Sequence, residues 1–561
     1  MKRKIFALVA LVSASLTMSC GEFLDVVPEG YPTQNGFFAT DKDALDAIDA
    51  VYWGIARPTD AMWGRDLFWE QGAADDIVFT KSRDFNLESL NFNAEHSWIS
   101  SAWNNLYTYM ANAQWVIQSL LQKGENNLSA IEKRVLGEAY FMRAFYHFHV
   151  AYRHGTDKLG VPYEPWESFE GGWNNQIFKQ QESVVKNYEM IVDDLKKAAE
   201  RLPFFETYTQ ADYGRAHKAA AWALMVKVYA YWAFWDASKW EEIPALVDRI
   251  ETEGHRDLLA DCADPFKIAN NYSQEYIFSV HSTGGSNPSG SEFTGVCLRN
   301  TGWGYYNGWG SIKPTHDLYE EYMKNPGDRR LQLNLVGYQP AINYFTYFGH
   351  ENFRYTENGD NVLSGYSIAK YMEPFTYGNE VFKDGVLDAG ATAASNPHIS
   401  TNGDYPTTDL CLSLLRHAEM VLFKAEALVM TGKPGAAKEL NRLTKRAGLG
   451  DLYTEGSVTM EDVMHERRCE LAFEFTDRFM DLKRWSRLTG LADDYTTSKI
   501  LGKRTRGNVP ADANDPDTQC TVKEIWPVGD GATRTWKESC LVFPYPSQEI
   551  VKAGGLWKQP N

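Results

Sequence analysis

The densest group of side chains able to meet a ligand is T-G-W-G-Y-Y-N-G-W-G, residues 301–310. Glycines pack no core, yet here they carry four aromatic rings, Trp303, Tyr305, Tyr306 and Trp309, on one short stretch. Aromatic faces stack on the apolar C–H faces of sugar rings, and asparagine or arginine then bonds the hydroxyls. That is the logic of a largely preformed pocket with few polar anchors. Rings that merely pin a glycine-rich loop to a scaffold would give the same run, so the pattern leaves both readings open. Tyr305 and Tyr306 are neighbours, so an extended backbone sends them to opposite sides and one of the two faces a ligand. Trp173, in G-G-W-N (171–174), is a further aromatic of exposed type with less company.

Covalent chemistry finds little footing. The chain has no G-x-S-x-G, no H-E-x-x-H and no phosphate loop of the form G-x-x-x-x-G-K. His147 and His149, on an aromatic-rich helix, read as packed side chains. A glycosidase needs two carboxylates across a cleft, and 74 acidic residues offer more pairs than sequence can sort. No C-x-x-C occurs, and no cysteine has a histidine at zinc-ligand spacing. Neither catalytic residues nor a metal or cofactor is expected. The net charge of −18, from 56 basic and 74 acidic residues, argues against a reader of phosphate backbones, so no nucleic-acid partner is expected.

The stretch that would hold such a loop in place lies near the C-terminus, at 459–485. Thr459 is placed to cap a helix with Asp462 three residues on. Glu466, Glu470 and Glu474 recur every four residues, with Arg467, Arg468, Arg478 and Arg484 at helical reach. Neither glycine nor proline interrupts the run, so one continuous helix is expected. By composition it reads as a salt-laced surface helix whose exposed pairs, Glu474 with Arg478 among them, contribute about 0.2–0.5 kcal/mol each.

Apolar spacing predicts further helices near 41–51, 98–121, 137–153, 184–202 and 219–233. Ala219, Ala223, Val226, Ala230 and Ala233 make a stripe of small residues that lets another helix approach closely. Residues 418–429 and 436–447, separated by Gly432 and Pro434, form a helical hairpin. The fold class is therefore mainly α, a tetratricopeptide-like repeat scaffold. From 265 to 408 the periodicity fades and Gly, Asn, Ser, Tyr and Trp accumulate, which marks an inserted, loop-rich subdomain. The expected divisions are 1–19, 20–264, 265–408 and 409–561.

Lys2, Arg3 and Lys4 precede an apolar run at 5–18, too short to span a bilayer core of about 30 Å, so this reads as a signal peptide. It ends in L-T-M-S-C, a lipoprotein-type cleavage box with Cys20 as the lipidated residue. Export permits disulfides, and Cys520 with Cys540 is the best candidate pair. Cys411 and Cys469 read as buried thiols.

E-R-R-x-E-L-A-F-E (466–474) followed by R-F-x-D-L-x-R-W (478–485) resembles the C-terminal signature of the SusD/RagB family of outer-membrane nutrient-binding lipoproteins. The resemblance extends, in the family's order, to 137–148, 214–224, 314–322, 327–330, 415–427, 440–449 and 543–550. It implies a surface protein, anchored in the outer membrane through Cys20, that captures a glycan without cleaving it. The glycan would pass to a SusC-like TonB-dependent porin. RagB-type relatives take peptides, which gives the alternative ligand class; a surface glycoside hydrolase is the remaining one. In the family an arginine and a tryptophan after an Asp-Asp pair meet the ligand; here Asp75-Asp76 is followed by Arg83 and Trp98. The acidic residues after the cleavage box, Glu22 and Asp25, resemble the family's surface-export signals.

Overall fold

The computed structural model describes residues 38–56, 65–80, 84–165, 177–284, 293, 310–357, 364–378, 382–383, 386–387, 396–399, 407–488, 505–512, 515–524 and 537–560. Six helices build the N-terminal part: α1 (Asp41–Ala56), α2 (Ser97–Gln122), α3 (Ala130–His154), α4 (Val184–Arg201), α5 (Lys218–Trp232) and α6 (Ile243–Thr252). A Ser129–Glu132 capping box starts α3, and from Val135 to His154 every residue is buried. It is buried on all sides because neighbours surround it. α5 is buried throughout, and its alanines admit those neighbours. Arg143 of α3 reaches Asp194 of α4 through two bonds of 2.8 and 2.6 Å and Gln114 of α2 at 2.7 Å, tying three helices together. As expected, His147 and His149 are packed side chains, and burial holds both rings well below their ordinary pKa.

Between the helical parts the chain turns to short strands: β1 (Ile77–Phe79), contributed early, then β2 (Tyr276–Val280), β3 (Ile312–Pro314), β4 (Leu335–Gly337), β5 (Tyr344–Tyr347), β6 (His350–Arg354) and β7 (Tyr366–Ile368). Among the described residues every sheet has two strands, all antiparallel. One helix, α7 (His316–Met323), follows β3 with Thr315 as its cap. A separate small core of Val336, Tyr347, Phe348, Tyr355, Met372, Phe375 and Ile399 supports this region.

Helical structure returns after β8 (Leu412–Arg416), which pairs with β2. α8 (His417–Met430) and α9 (Ala436–Arg446) form the expected hairpin, with Gly432 and Gly435 at φ +66° and +114° in its turn. The 459–485 stretch departs from expectation. Its capping box forms as read, but it divides into α10 (Met460–Leu471) and α11 (Arg478–Leu488). Phe473 stands at φ +66° in the break. The carbonyls freed there are taken by other elements: Tyr371 Oη donates to Phe473 at 3.1 Å and Gln71 Nε2 to Glu474 at 2.7 Å. The stretch is buried, not solvent-facing, so the surface-helix reading fails.

The last residues fold back across the N-terminal helices. Phe543 N donates to Arg153 O at 2.8 Å, Tyr545 Oη to Gly160 O at 2.7 Å, and Trp557 Nε1 to Phe178 O at 2.7 Å. Cys262, Cys411, Cys469, Cys520 and Cys540 are free thiols. The Cys520–Cys540 pairing is thus not formed: Cys520 lies on a β-ribbon opposite Pro510, while buried Cys540 points its thiol at Leu90 O, 3.7 Å away. Among the described residues no helix is long and apolar enough to cross a membrane.

Candidate ligand-binding site

The arginines of the 459–485 stretch reach back to the start of the chain. Arg468 Nε bonds Asp76 Oδ1 at 2.7 Å, Nη2 lies 3.2 Å from Asp75 Oδ2, and Nη1 is 2.9 Å from Glu321. Arg478 forks onto Asp75 at 2.8 and 3.0 Å. Burial alone would lower the Arg468 pKa, but Asp75, Asp76 and Glu321 outweigh it and hold the guanidinium well above its ordinary value. The partners of Arg468 are therefore this pair and Glu321, not Glu470, and Arg478 serves Asp75 in place of Glu474.

That grip fixes a strand pair. Thr315 donates its N–H to Asp76 O and its Oγ1 to Asp75 O, both at 2.9 Å. β1 and β3 then run antiparallel, Ile77 opposite Pro314 and Phe79 opposite Ile312. Beyond the ladder, Thr80 N donates to Ser311 O at 3.0 Å and Thr80 Oγ1 to Gly310 O at 2.9 Å. Two of the stretches singled out in the sequence thus leave the scaffold from one place. Arg83 follows Thr80 by three positions, and Trp309 directly precedes Gly310. Nearby, Phe293 packs against Phe68 and Phe475 with ring centroids at 4.9 and 5.5 Å.

Arg83, Trp173, Trp303, Tyr305, Tyr306 and Trp309 lie outside the described residues, as do Cys20 and the apolar run before it. Trp98 is described, and it does not join the site. It is 4% exposed near the start of α2, edge-on to Phe543 at 5.2 Å, so neither ring face is open to a ligand. Helical spacing placed it on a core-facing stripe, which is the signal that should have excluded it.

A second buried network lies behind the strands. Arg416 contacts Glu275, Glu470 and Glu474; Arg446 contacts Glu275 and Glu470; Arg330 contacts Asp328, Glu466 and Glu470. Burial would raise the Glu470 pKa, yet Arg446, Arg416 and Arg330 hold it well below the carboxylate range. Sequence reading quoted Arg330 and Arg416 only as parts of motifs and missed their role, because their partners are distant in the chain. Among the described residues, Glu251, Asp257 and His417 come together as metal ligands might. Arg442 already bridges Glu251 and Asp257 at 2.7 and 2.6 Å and supplies the positive charge.

The SusD family model matches residues 274–561, just over half of the chain. The chain belongs to the SusD family. A second model of the group, described as starch-binding associating with outer membrane, matches residues 22–230. A SusD-like protein of Bacteroides ovatus is 23% identical over 90% of this chain and 86% of its own length. SusD-like protein P38 of Formosa agariphila is 23% identical over 88% of this chain and 93% of its own. Among solved structures, a SusD-like protein of Bacteroides fragilis superposes with a TM-score of 0.70 at 22% identity, covering 94% of this chain and 98% of that one. Surface glycan-binding protein A of Bacteroides thetaiotaomicron, in complex with laminarihexaose, gives 0.64 at 20% identity, covering 93% and 99%. The mainly helical, tetratricopeptide-like SusD fold is thereby shown.

Proposed function

We propose that this SusD-family chain captures a glycan at the cell surface, with the 301–309 rings and Arg83 as its contacts, and does not cleave it. The observation that carries this reading is the common root of the two stretches at Thr80 and Gly310, locked by the signature arginines through Asp75 and Asp76. One stretch brings stacking faces and the other a cationic donor, the combination that holds a neutral polyol. The surface glycan-binding proteins that share the fold support the ligand class. Lipidation at Cys20 would tether the chain to the outer membrane, and a SusC-like TonB-dependent porin would receive the ligand.

The test is a neutral-oligosaccharide array, followed by calorimetry and chromatography of the incubated ligand. Binding with no shorter products supports the reading. Steady release of fragments would make the protein a hydrolase, and retention of a peptide pool in place of glycans would move it to the peptide-binding branch. A Cys20→Ala variant should leave the membrane fraction, and the native protein should co-purify with a TonB-dependent porin.

A further inference from the structure

A cavity of about 470 Å³ opens among residues 263–376, with neither Thr80 nor Gly310 in its lining. Its volume falls in the range of small-ligand sites, roughly 300–1,000 Å³. Phe266 forms one wall, with Lys370 Nζ, also of the lining, 4.9 Å and the buried Arg416 guanidinium 5.5 Å from its ring. Phe345 and Tyr344, both from β5, stand on another side. Tyr344 is 55% exposed, an aromatic ring left in water on a strand whose far end, Tyr347, is buried. Gln332, Thr346 and Thr376 bring neutral hydrogen-bonding groups to the lining.

The cations at this cavity are already paired. Lys267 pairs with Asp264 at 2.8 Å, and Lys370 pairs with Glu474 at 2.7 Å. The Glu373 carboxylate is held by neutral donors, Ile268 N at 3.2 Å and the Tyr377 hydroxyl. An anionic ligand would meet that carboxylate and two lysines already engaged, and would lose its hydration on entry. A neutral ring with an apolar face and a hydroxyl edge finds aromatic walls and neutral donors and acceptors. β7 lies against β3 and leads directly into Ala369 and Lys370 of the cavity wall, so the cavity and the loop roots share one strand framework.

We propose that this cavity is a second sugar subsite, one that holds a neutral pyranose residue between Phe266 and Tyr344. It rests on the glycan reading above and extends it to a ligand engaged at two places. Two linked contacts raise overall affinity without any new bond, because the second binds at a high effective concentration.

The experiment uses the full chain with four neutral hexasaccharides, laminari-, malto-, cello- and xylohexaose, each free and as a photo-reactive diazirine derivative. Peptide mapping after irradiation should place label on 263–268 or 341–346 as well as on 301–309. Tyr344→Ala, at an exposed position, should weaken the hexasaccharide that binds by about fivefold without a change in melting. Ala341→Trp, which fills the cavity from its exposed rim, should do the same. Binding that survives both variants, with label on 301–309 alone, overturns the subsite and leaves the glycan reading standing. Failure of the native chain to bind any of the four, or any glycan of the array, overturns both. Labelling of the cavity by a diazirine-bearing apolar peptide pool in place of the sugars overturns the ligand class.

Discussion

The seam around α10 and α11 closes its charges upon one another, whereas the face of the insert around Tyr344 leaves rings and hydroxyls open to water. In the seam, Arg467 is shared by Glu419 and Asp481, and Arg484 by Glu426 and Asp481, all buried. Charges so enclosed contribute less to net stability than their number suggests, because desolvation offsets much of the attraction. What they provide is uniqueness of position, since a buried guanidinium without its carboxylate is costly. The insert has the reverse arrangement. Its strands are short, its own core is small, and Tyr344 stands exposed on its face. On the proposed reading, rigidity belongs to the seam and recognition to the insert and the loops rooted at Thr80 and Gly310.

The sharpest way to break that division is to remove one seam cation. Arg416→Ala takes one of the cations shared by Glu275, Glu470 and Glu474, and chemical denaturation should show a loss of about 3 kcal/mol. Arg468→Ala should cost about as much by removing the nearest cation of Asp76 and one partner each of Asp75 and Glu321. The two should differ in binding. Affinity per folded molecule should be unchanged for Arg416→Ala and reduced for Arg468→Ala, whose partners hold β1. Equal effects on affinity would erase the distinction between the two networks.

Acid should act on the seam before the insert. Glu470, Glu275 and Asp481 are held below their unfolded values, so protons bind the unfolded chain more readily. Their stabilisation is complete above the unfolded carboxyl values near pH 4 and is lost as pH falls through the lower, folded ones. The melting temperature should be level from pH 7 to about pH 5 and decline steeply below about pH 4. A level profile down to pH 3 would show that these pairs are not closed in solution.

On the recognition side, Trp303→Ala and Trp309→Ala address the loop directly. At least one should lose about 2 kcal/mol of binding, more than tenfold, with little change in melting. Lower melting at unchanged affinity in both would make the rings loop pins and weaken the division. The smallest effect belongs to Thr315→Val, which removes the bond to Asp75 O and the cap of α7. It should cost about 1 kcal/mol in denaturation and weaken glycan binding by a few-fold through β3.

The helices were legible because apolar spacing records which face is buried, and the α8–α9 hairpin and the buried α3 and α5 follow from it, as the cap at Thr459 follows from its residue type. The break at Phe473 was not, since no glycine or proline marks it and its cause lies in donors from Gln71 and Tyr371, far away in the chain. The same holds for Asp75 and Asp76. Their side chains look like turn caps in sequence, and only the fold brings them to Arg468 and Arg478. Trp98 shows the opposite error, in which motif spacing was preferred to helical phase. The neutral cavity left no local signal, because its walls come from four separate stretches.

The bond between Arg478 and Asp75 joins positions 403 residues apart. A chain made from its N-terminus presents two adjacent carboxylates long before their guanidinium partners exist. Until then Asp75 and Asp76 lack the arginines that lock the residues leading into β1. Closing so long a loop is entropically slow, and topologies rich in distant contacts fold slowly. The lock on the β1–β3 framework therefore closes only after nearly the whole chain has been made.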